Sequence, residues 1–455
     1  MSARAAVAAA GALLGVLPPS FAGEEPDPPL TVPLEYVRYP DVVEAQGSFV
    51  FRGELQLECL PAPPAGDWKL PDLVSAQPVY ALAKLGESEH LFVLDREDAG
   101  GAFYDRLYCD ANGNRDLTDD AVVCEADGLP VPGLFESVPF DLTPSIQGAR
   151  RPYSLYVVAF SEERVDALAE GGEYADEVDF EELTFRLKGN CCYSGAFEVG
   201  GRAYRVLLGD DDVNGFFGEL VSYLESADSN PRRPLETRGD QIFLADGPAL
   251  GEIDGGRLGN LLSLSGELYG LRVNRTGDEL TLEPVASELG AVRLSFAAER
   301  LFLASEDGKR HVTILRPGRE ARIPAGRYHV AGYRLLRADA QGDLWSVSAA
   351  ATPRSSFFTV AAGEVVDLPC GEPFSPEASI PATEYEAFAR GERESVQVEF
   401  SILGTGNEAI GDIRHVSGSA TEIPLDASRS FPQEPRFQIM EKTGKRVASG
   451  TFEYG

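Results

Sequence analysis

The sequence predicts a mainly β protein of several domains. Two related β domains with acidic hairpin loops come first, and two small β-sandwich domains of immunoglobulin-like or prealbumin-like type follow. Three observations predict this. Short runs rich in β-branched and aromatic residues, bounded by Gly, Asp or Pro, recur along the chain, while helical periodicity is scarce. Gly (47) and Pro (31) are frequent and Met (2) is rare, which favours many turns over long helices. A G-G-x-x-Y-x-x-L-x-x-D-x-[DN]-x-N pattern occurs twice, offset by 100 residues.

The chain opens with a sorting segment. Arg4 is the only charge before Glu24, and residues 5–17 are a continuous Ala/Val/Leu/Gly run. Pro18 and Pro19 break the run, and Ser20-Phe21-Ala22 supplies a small-x-small cleavage signal. This layout predicts a secretory signal peptide over residues 1–22. The apolar run is too short to span a bilayer. The mature protein is therefore expected to be exported (periplasmic, cell-surface or extracellular) with no membrane span after cleavage. Export permits disulfides. Cys109 and Cys124 flank an acidic segment that a bridge between them would staple. Cys191 and Cys192 are adjacent and strained as a pair, so one of them is a candidate partner for Cys59. With Cys370 as the sixth, the connectivity stays open.

The first β domain is expected over residues 24–148, with strands near 90–94 and 103–108. The second is expected over 149–295, with strands near 154–159, 183–187, 203–208, 268–273, 279–282 and 292–296. Residues 161–169 and 216–225 are the best helical candidates. The repeat ties the two domains together. Gly100, Gly101, Tyr104, Leu107, Asp110, Asn112 and Asn114 correspond to Gly200, Gly201, Tyr204, Leu207, Asp210, Asp212 and Asn214. Physically this reads as a turn, a strand and an acidic loop, and seven positions in register favour duplication of one hairpin unit.

A small sandwich is expected over residues 296–372, with strands near 312–315, 328–335 and 357–360. Pro324-Ala325-Gly326 feeding Tyr328 resembles the turn that enters a strand in carboxypeptidase-regulatory-like and prealbumin-like modules. The Pro-rich segment 369–381 reads as a linker. A second small sandwich is expected over 383–455, with strands near 396–403, 437–440 and 446–454 and a hairpin turn at Thr443-Gly444.

The acidic loops carry the main chemical signal. Asp110, Asn112, Asn114 and Asp116 alternate along the first, followed by Asp119 and Asp120. Oxygen-bearing side chains at alternate positions of a tight loop converge on one hard cation, and Ca²⁺ takes about six to eight oxygen ligands. An EF-hand loop wants Gly at its sixth position and an acid at its twelfth. Arg115 and Ala121 stand there, so Asp119 or Asp120 would supply the late ligand. The second loop, Asp210-x-Asp212-x-Asn214-Gly215, has the glycine but Val221 at position twelve. Glu219, or Asp240 folded back after Gly239, would close it. A solvated Asp/Asn/Gly turn accounts for one such loop. Two in register, in an exported chain, favour calcium as a structural ligand.

Composition narrows the function. Acidic residues outnumber basic ones 73 to 40, for a formal charge of −33, which opposes any extended phosphate-binding surface and so excludes nucleic acid as a partner. Four His without H-x-x-x-H spacing give zinc hydrolase chemistry no support, and no G-x-S-x-G marks a serine nucleophile. Among 73 acids, a nearby pair says nothing about glycosidase chemistry. Trp68 and Trp345 fit core packing or a sugar platform.

Taken as a set, the segment 104–120 (YDRLYCDANGNRDLTDD), the loop 210–215 and the terminal GTFEYG of 450–455 resemble uncharacterised exported multi-domain β proteins of planctomycete-type bacteria. The resemblance implies an exported protein with acidic, calcium-binding hairpins and supplies no catalytic residues. The expectation is a non-enzymatic structural or binding protein whose partner is an extracellular protein or polysaccharide. The alternative is a carbohydrate-binding or carbohydrate-hydrolysing extracellular protein.

Overall fold

The structure is a computed structural model. It describes residues 28–39, 53–98, 103–126, 134–161, 182–223, 233–246, 254–339, 342–393, 396, 398–416, 436–441 and 443–451. The expected signal peptide, Gly100 and Gly101 of the repeat, residues 162–169 and the last four residues lie outside this set.

The protein is mainly β, with several sheets of sandwich type, and one short helix, Ala382–Ala389, occurs among the described residues. Expected strands appear with small shifts at their ends. Residues 90–94 lie within Ser88–Asp95, 203–208 within Arg202–Gly209, and 357–360 form Phe357–Val360. Period-two patterning sets the faces. In Leu183–Gly189 the buried residues are Leu183, Phe185 and Leu187. In Tyr153–Ser161 both faces are largely buried, so its sequence reads as a nearly continuous apolar run.

Three sheets surround the first core. One is four-stranded, in the order Val79–Leu85, Ser88–Asp95, Arg106–Cys109, Val123–Cys124. A second runs Asp254–Arg257, Gln241–Asp246, Arg202–Gly209, Cys191–Val199, Glu35–Arg38. The third pairs Tyr153–Ser161 with Leu183–Gly189, Leu134–Glu136 and Phe140–Leu142, and Leu183–Gly189 with Glu54–Leu57. One apolar cluster, from Val32 to Leu282, includes Phe92, Leu107, Phe185, Tyr193, Val206 and Leu244 and so joins these sheets. A twelve-stranded sheet begins at Leu30–Pro33 and ends at Ser375–Ser379. It takes strands from both sides of residues 295 and 372. A second apolar cluster, from Leu268 to Cys370, lies against it.

Three expectations are corrected. Over 216–223 no helix forms; the segment is irregular and ends in the short strand Ser222–Tyr223. Its amides are used elsewhere: Phe216 N–H donates to Asn214 Oδ1, Glu219 N–H to Asp240 Oδ2 and Val221 N–H to Leu258 O. Residues 369–381 are not a free linker, because Ser375–Ser379 pairs with Glu399–Leu403 as a sheet edge, where Pro376 needs no N–H of its own. All six cysteines are free thiols. Arg106 pairs with Cys124, and Cys109 lies three residues further along its strand, so the two thiols face opposite sides, Cys109 buried and Cys124 exposed. Cys191 and Cys192 likewise alternate, into different apolar clusters, and the Cys59 thiol donates to Leu183 O.

Candidate metal centre

Each acidic loop leaves the end of a central strand. Arg106–Cys109 lies between Ser88–Asp95 and Val123–Cys124, and Arg202–Gly209 lies between Cys191–Val199 and Gln241–Asp246. The aspartate that opens each loop is buried, Asp110 at 0% and Asp210 at 1% exposure. A buried carboxylate needs donors, and both receive them from the same places. Asp110 accepts from Asn114 N–H (3.0 Å) and Arg115 N–H (2.9 Å). Asp210 accepts from Asn214 N–H (3.2 Å) and Gly215 N–H (2.7 Å). The asparagine at the fifth position then accepts from the amide two residues on: Asn114 Oδ1 from Asp116 and Asn214 Oδ1 from Phe216, both at 2.7 Å.

The backbones agree as well. Positions four and six are left-handed in both loops, Gly113 (φ 67°) and Arg115 (φ 68°) against Val213 (φ 53°) and Gly215 (φ 81°). Glycine takes this conformation freely; Arg115 and β-branched Val213 hold it under strain. At Gly215 no other residue fits easily, because a Cβ would lie 2.8 Å from the Gly86 nitrogen. Arg115 at the sixth position therefore leaves the loop conformation intact.

Strand register supplies the next carboxylate. Gly209 pairs with Gln241, so one step further sets Asp210 opposite Asp240. Leu107 pairs with Val123, and carrying that register to the loop sets Asp110 opposite Asp120. Asp120 Oδ2 accepts from Ala111 N–H at 3.1 Å, and Asp240 Oδ2 from Glu219 N–H at 2.8 Å. A late acid meets the fifth-position asparagine in each loop: Asn114 Nδ2 donates to Asp119 (2.9 Å), and Asn214 Nδ2 donates to Glu219 (3.1 Å).

The interiors of the two loops differ. In the first, Asn112 Nδ2 donates to Asp120 Oδ1 (3.2 Å) and lies 3.4 Å from Asp119 Oδ1. Asp116 points away, held by Lys69 at 2.7 Å and by Thr118, which keep its carboxyl below the usual range. In the second, Asp210, Asp212 and Asp240 each present an oxygen within 4.8 Å of the others, an arrangement that can hold a metal ion. Asp240 is 1% exposed and its Oδ1 has no hydrogen-bond partner; Asp212 Oδ1 is also buried and unpartnered. Burial pushes the Asp240 carboxyl up to about 8, with the charges of Glu219 and Asp212 adding to it. Burial, then Asp240 and Asp212, push Asp210 in the same direction. Tyr153 O–H donates to Asp210 Oδ2 at 2.9 Å, and Asp211 is engaged separately by Arg257 and Gln241. Three carboxylates thus share one largely dry space, where burial and mutual repulsion oppose their ionisation.

The structure thus gathers Asp210, Asp212 and Asp240, with Asn214 and Glu219 at the rim. It gathers Asp110, Asn112, Asn114 and Asp120 around internal hydrogen bonds and leaves Asp116 outside. Sequence reading placed Asp240 only as a residue that folds back. Its signal was Gly239: at φ 109°, with Leu220 O 2.6 Å from where a Cβ would stand, this position needs glycine beside the acid.

Other candidate groups have structural surroundings. Arg115 lies over the Trp68 ring at 5.3 Å, and Trp345 Nε1 donates to Asp339. His311 and His329 lie on neighbouring parts of the large sheet against Tyr223, with ring centroids 5.8 and 5.7 Å from it, beside a cavity of about 220 Å³. That cluster was invisible in the sequence, where its members are scattered. Comparison with protein-family models, with curated proteins and with solved structures finds no match to this chain.

Proposed function

We propose that the protein is an exported, non-enzymatic structural or binding protein whose fold is stapled by one calcium ion at Asp210, Asp212 and Asp240. The single observation that carries this reading is the buried Asp240 oxygen without a donor, in a side chain packed beside two further carboxylates. Ionising a buried, unpaired carboxyl is costly, and two buried carboxyls beside a half-buried one without a counter-ion cost more, so burial holds them protonated. A divalent cation removes that cost by taking the oxygens as ligands.

The donor set supports calcium in particular. The three grouped side chains offer only carboxylate oxygens, no His or Cys belongs to the group, and Glu219 adds a further carboxylate at the rim, tied to Asp212 through Asn214 Nδ2. Oxygen-only sets suit calcium, whereas zinc favours nitrogen and sulfur. Calcium is also the hard divalent ion to expect in the exported setting that the residues 1–22 predict. The ion would tie the end of Arg202–Gly209 to the start of Gln241–Asp246 and so close the segment between them. Bound only by the folded state, it adds about 2.7 kcal/mol at a hundredfold excess over Kd.

The test is a thermal melt in chelator and in millimolar calcium, with magnesium as a control, on the wild type and Asp212→Asn. The expected result is a calcium-dependent rise in Tm that disappears in the variant. An unchanged wild-type Tm in calcium overturns the reading; an equal rise with magnesium replaces the ion.

A further inference from the structure

We infer that the residue at the third loop position, Asn112 or Asp212, decides whether each copy of this duplicated unit takes a cation, and that in the first copy the Asn112 amide does the cation's work. The inference rests on the reading above that the second loop holds calcium. It adds that the first loop is a cation-independent copy of the same site.

The two loops share a frame of hydrogen bonds. The buried first-position aspartate accepts from the fifth and sixth amides in both. The fifth-position asparagine accepts from the seventh amide and donates to an acid five residues on. An aspartate that precedes the adjacent strand meets each loop and accepts a backbone N–H. Left-handed residues stand at the same two positions. Against this shared frame, the third position changes from amide to carboxylate.

An asparagine amide carries two N–H donors on one nitrogen. Asn112 directs that nitrogen at the carboxylates of Asp119 and Asp120. Asp212 has no hydrogen to offer. Its Oδ1 is left without a partner, and so is Oδ1 of Asp240, the counterpart of Asp120. The change therefore removes a donor from the centre and adds a negative charge there. The first loop holds Asp110, Asp119 and Asp120 around two amide donors, Asn112 and Asn114, whereas the second holds Asp210, Asp212, Glu219 and Asp240 with one, Asn214, which reaches Asp212 Oδ2 and Glu219 and leaves Oδ1 of Asp212 and of Asp240 unmet. The second has one more carboxylate and one fewer amide to offset it, and an oxygen-lined space of that kind calls for a hard divalent cation.

The closing experiment is calcium titration by calorimetry on the mature full-length protein, for the wild type, Asp212→Asn, Asn112→Asp and the double exchange. Expected stoichiometries are one, zero, two and one, with the single site of the double variant in the first loop. A wild type that binds no calcium sinks the calcium reading itself. A wild type with two sites, or an Asn112→Asp variant that folds by circular dichroism and still binds one, sinks this inference while leaving that reading in place. Should Asn112→Asp fail to fold, Asp212→Asn decides. In chelator it should melt above the wild type, because the new amide satisfies the cluster; melting below it shows that an amide does not replace the ion.

Discussion

The loops that follow Arg106–Cys109 and Arg202–Gly209 have one backbone and two electrostatic solutions. The shared part is set by the first and fifth positions, whose side chains fold the loop by accepting its amides. The different part is set by the third position and by the connection that supplies the opposing aspartate. Asp120 arrives ten residues after Asp110, whereas Asp240 arrives thirty residues after Asp210, by way of a different connection. The comparison teaches that loop geometry and ligand demand are separable. A D-x-[DN]-x-N pattern specifies the first, and the hydrogen-bonding balance of the whole cluster specifies the second.

The largest test of this separation removes the first-position aspartates. Asp110→Ala abolishes two hydrogen bonds to a buried carboxylate and Asp210→Ala three, at a cost of about 3 kcal/mol or more each. Differential scanning calorimetry should find the Asp110→Ala loss equal in chelator and in calcium, and the Asp210→Ala loss larger in calcium. Equal calcium sensitivity of the two variants would break the comparison.

Next come the sixth positions. Gly215→Ala meets both a left-handed backbone and the Gly86 nitrogen, and should cost about 2 kcal/mol. Arg115→Gly relieves strain of about 1 kcal/mol and loses an exposed ion pair with Glu89 worth less than about 1 kcal/mol, so its net effect should be near zero. Urea unfolding of both variants checks this, and a large loss in Arg115→Gly would mean that its side chain holds the first loop together.

The pH dependence sharpens the contrast further. Asp240 in the folded state titrates near 8, above the ordinary aspartate value of the unfolded chain. Between those values the folded state binds more protons, so its stability falls as pH rises. In chelator, Tm should therefore decline from about pH 4 to about pH 8. Calcium, which replaces the proton, should remove that decline, and the gap between the two curves should widen with pH. Parallel curves would show that the cluster does not exchange protons for the ion. The smallest effect is expected of Lys69→Ala, which removes an exposed lysine and releases only the half-buried Asp116. Its Tm should match the wild type in both media; a calcium-dependent change would return Asp116 to the ligand set.

Much of this was legible in residues close in sequence. The β class follows from short β-branched and aromatic runs, and the paired loops follow from seven matching positions. Asn214 and Glu219 lie within one loop, so local spacing was enough to associate them. The helix expected at 216–225 was misread because its amides are consumed by Asn214, Asp240 and Leu258, two of which are distant in sequence. The disulfides were misread because pairing depends on which face of a strand each thiol takes.

By itself, then, the sequence determined the fold class, the acidic loops and their turn chemistry, because periodicity and Asx geometry act over a few residues. Only the tertiary structure decided which loop concentrates unpaired charge. That depends on strand register, which sets Asp240 against Asp210 and Asp120 against Asp110, and on burial, which leaves Oδ1 of Asp240 and of Asp212 without a donor.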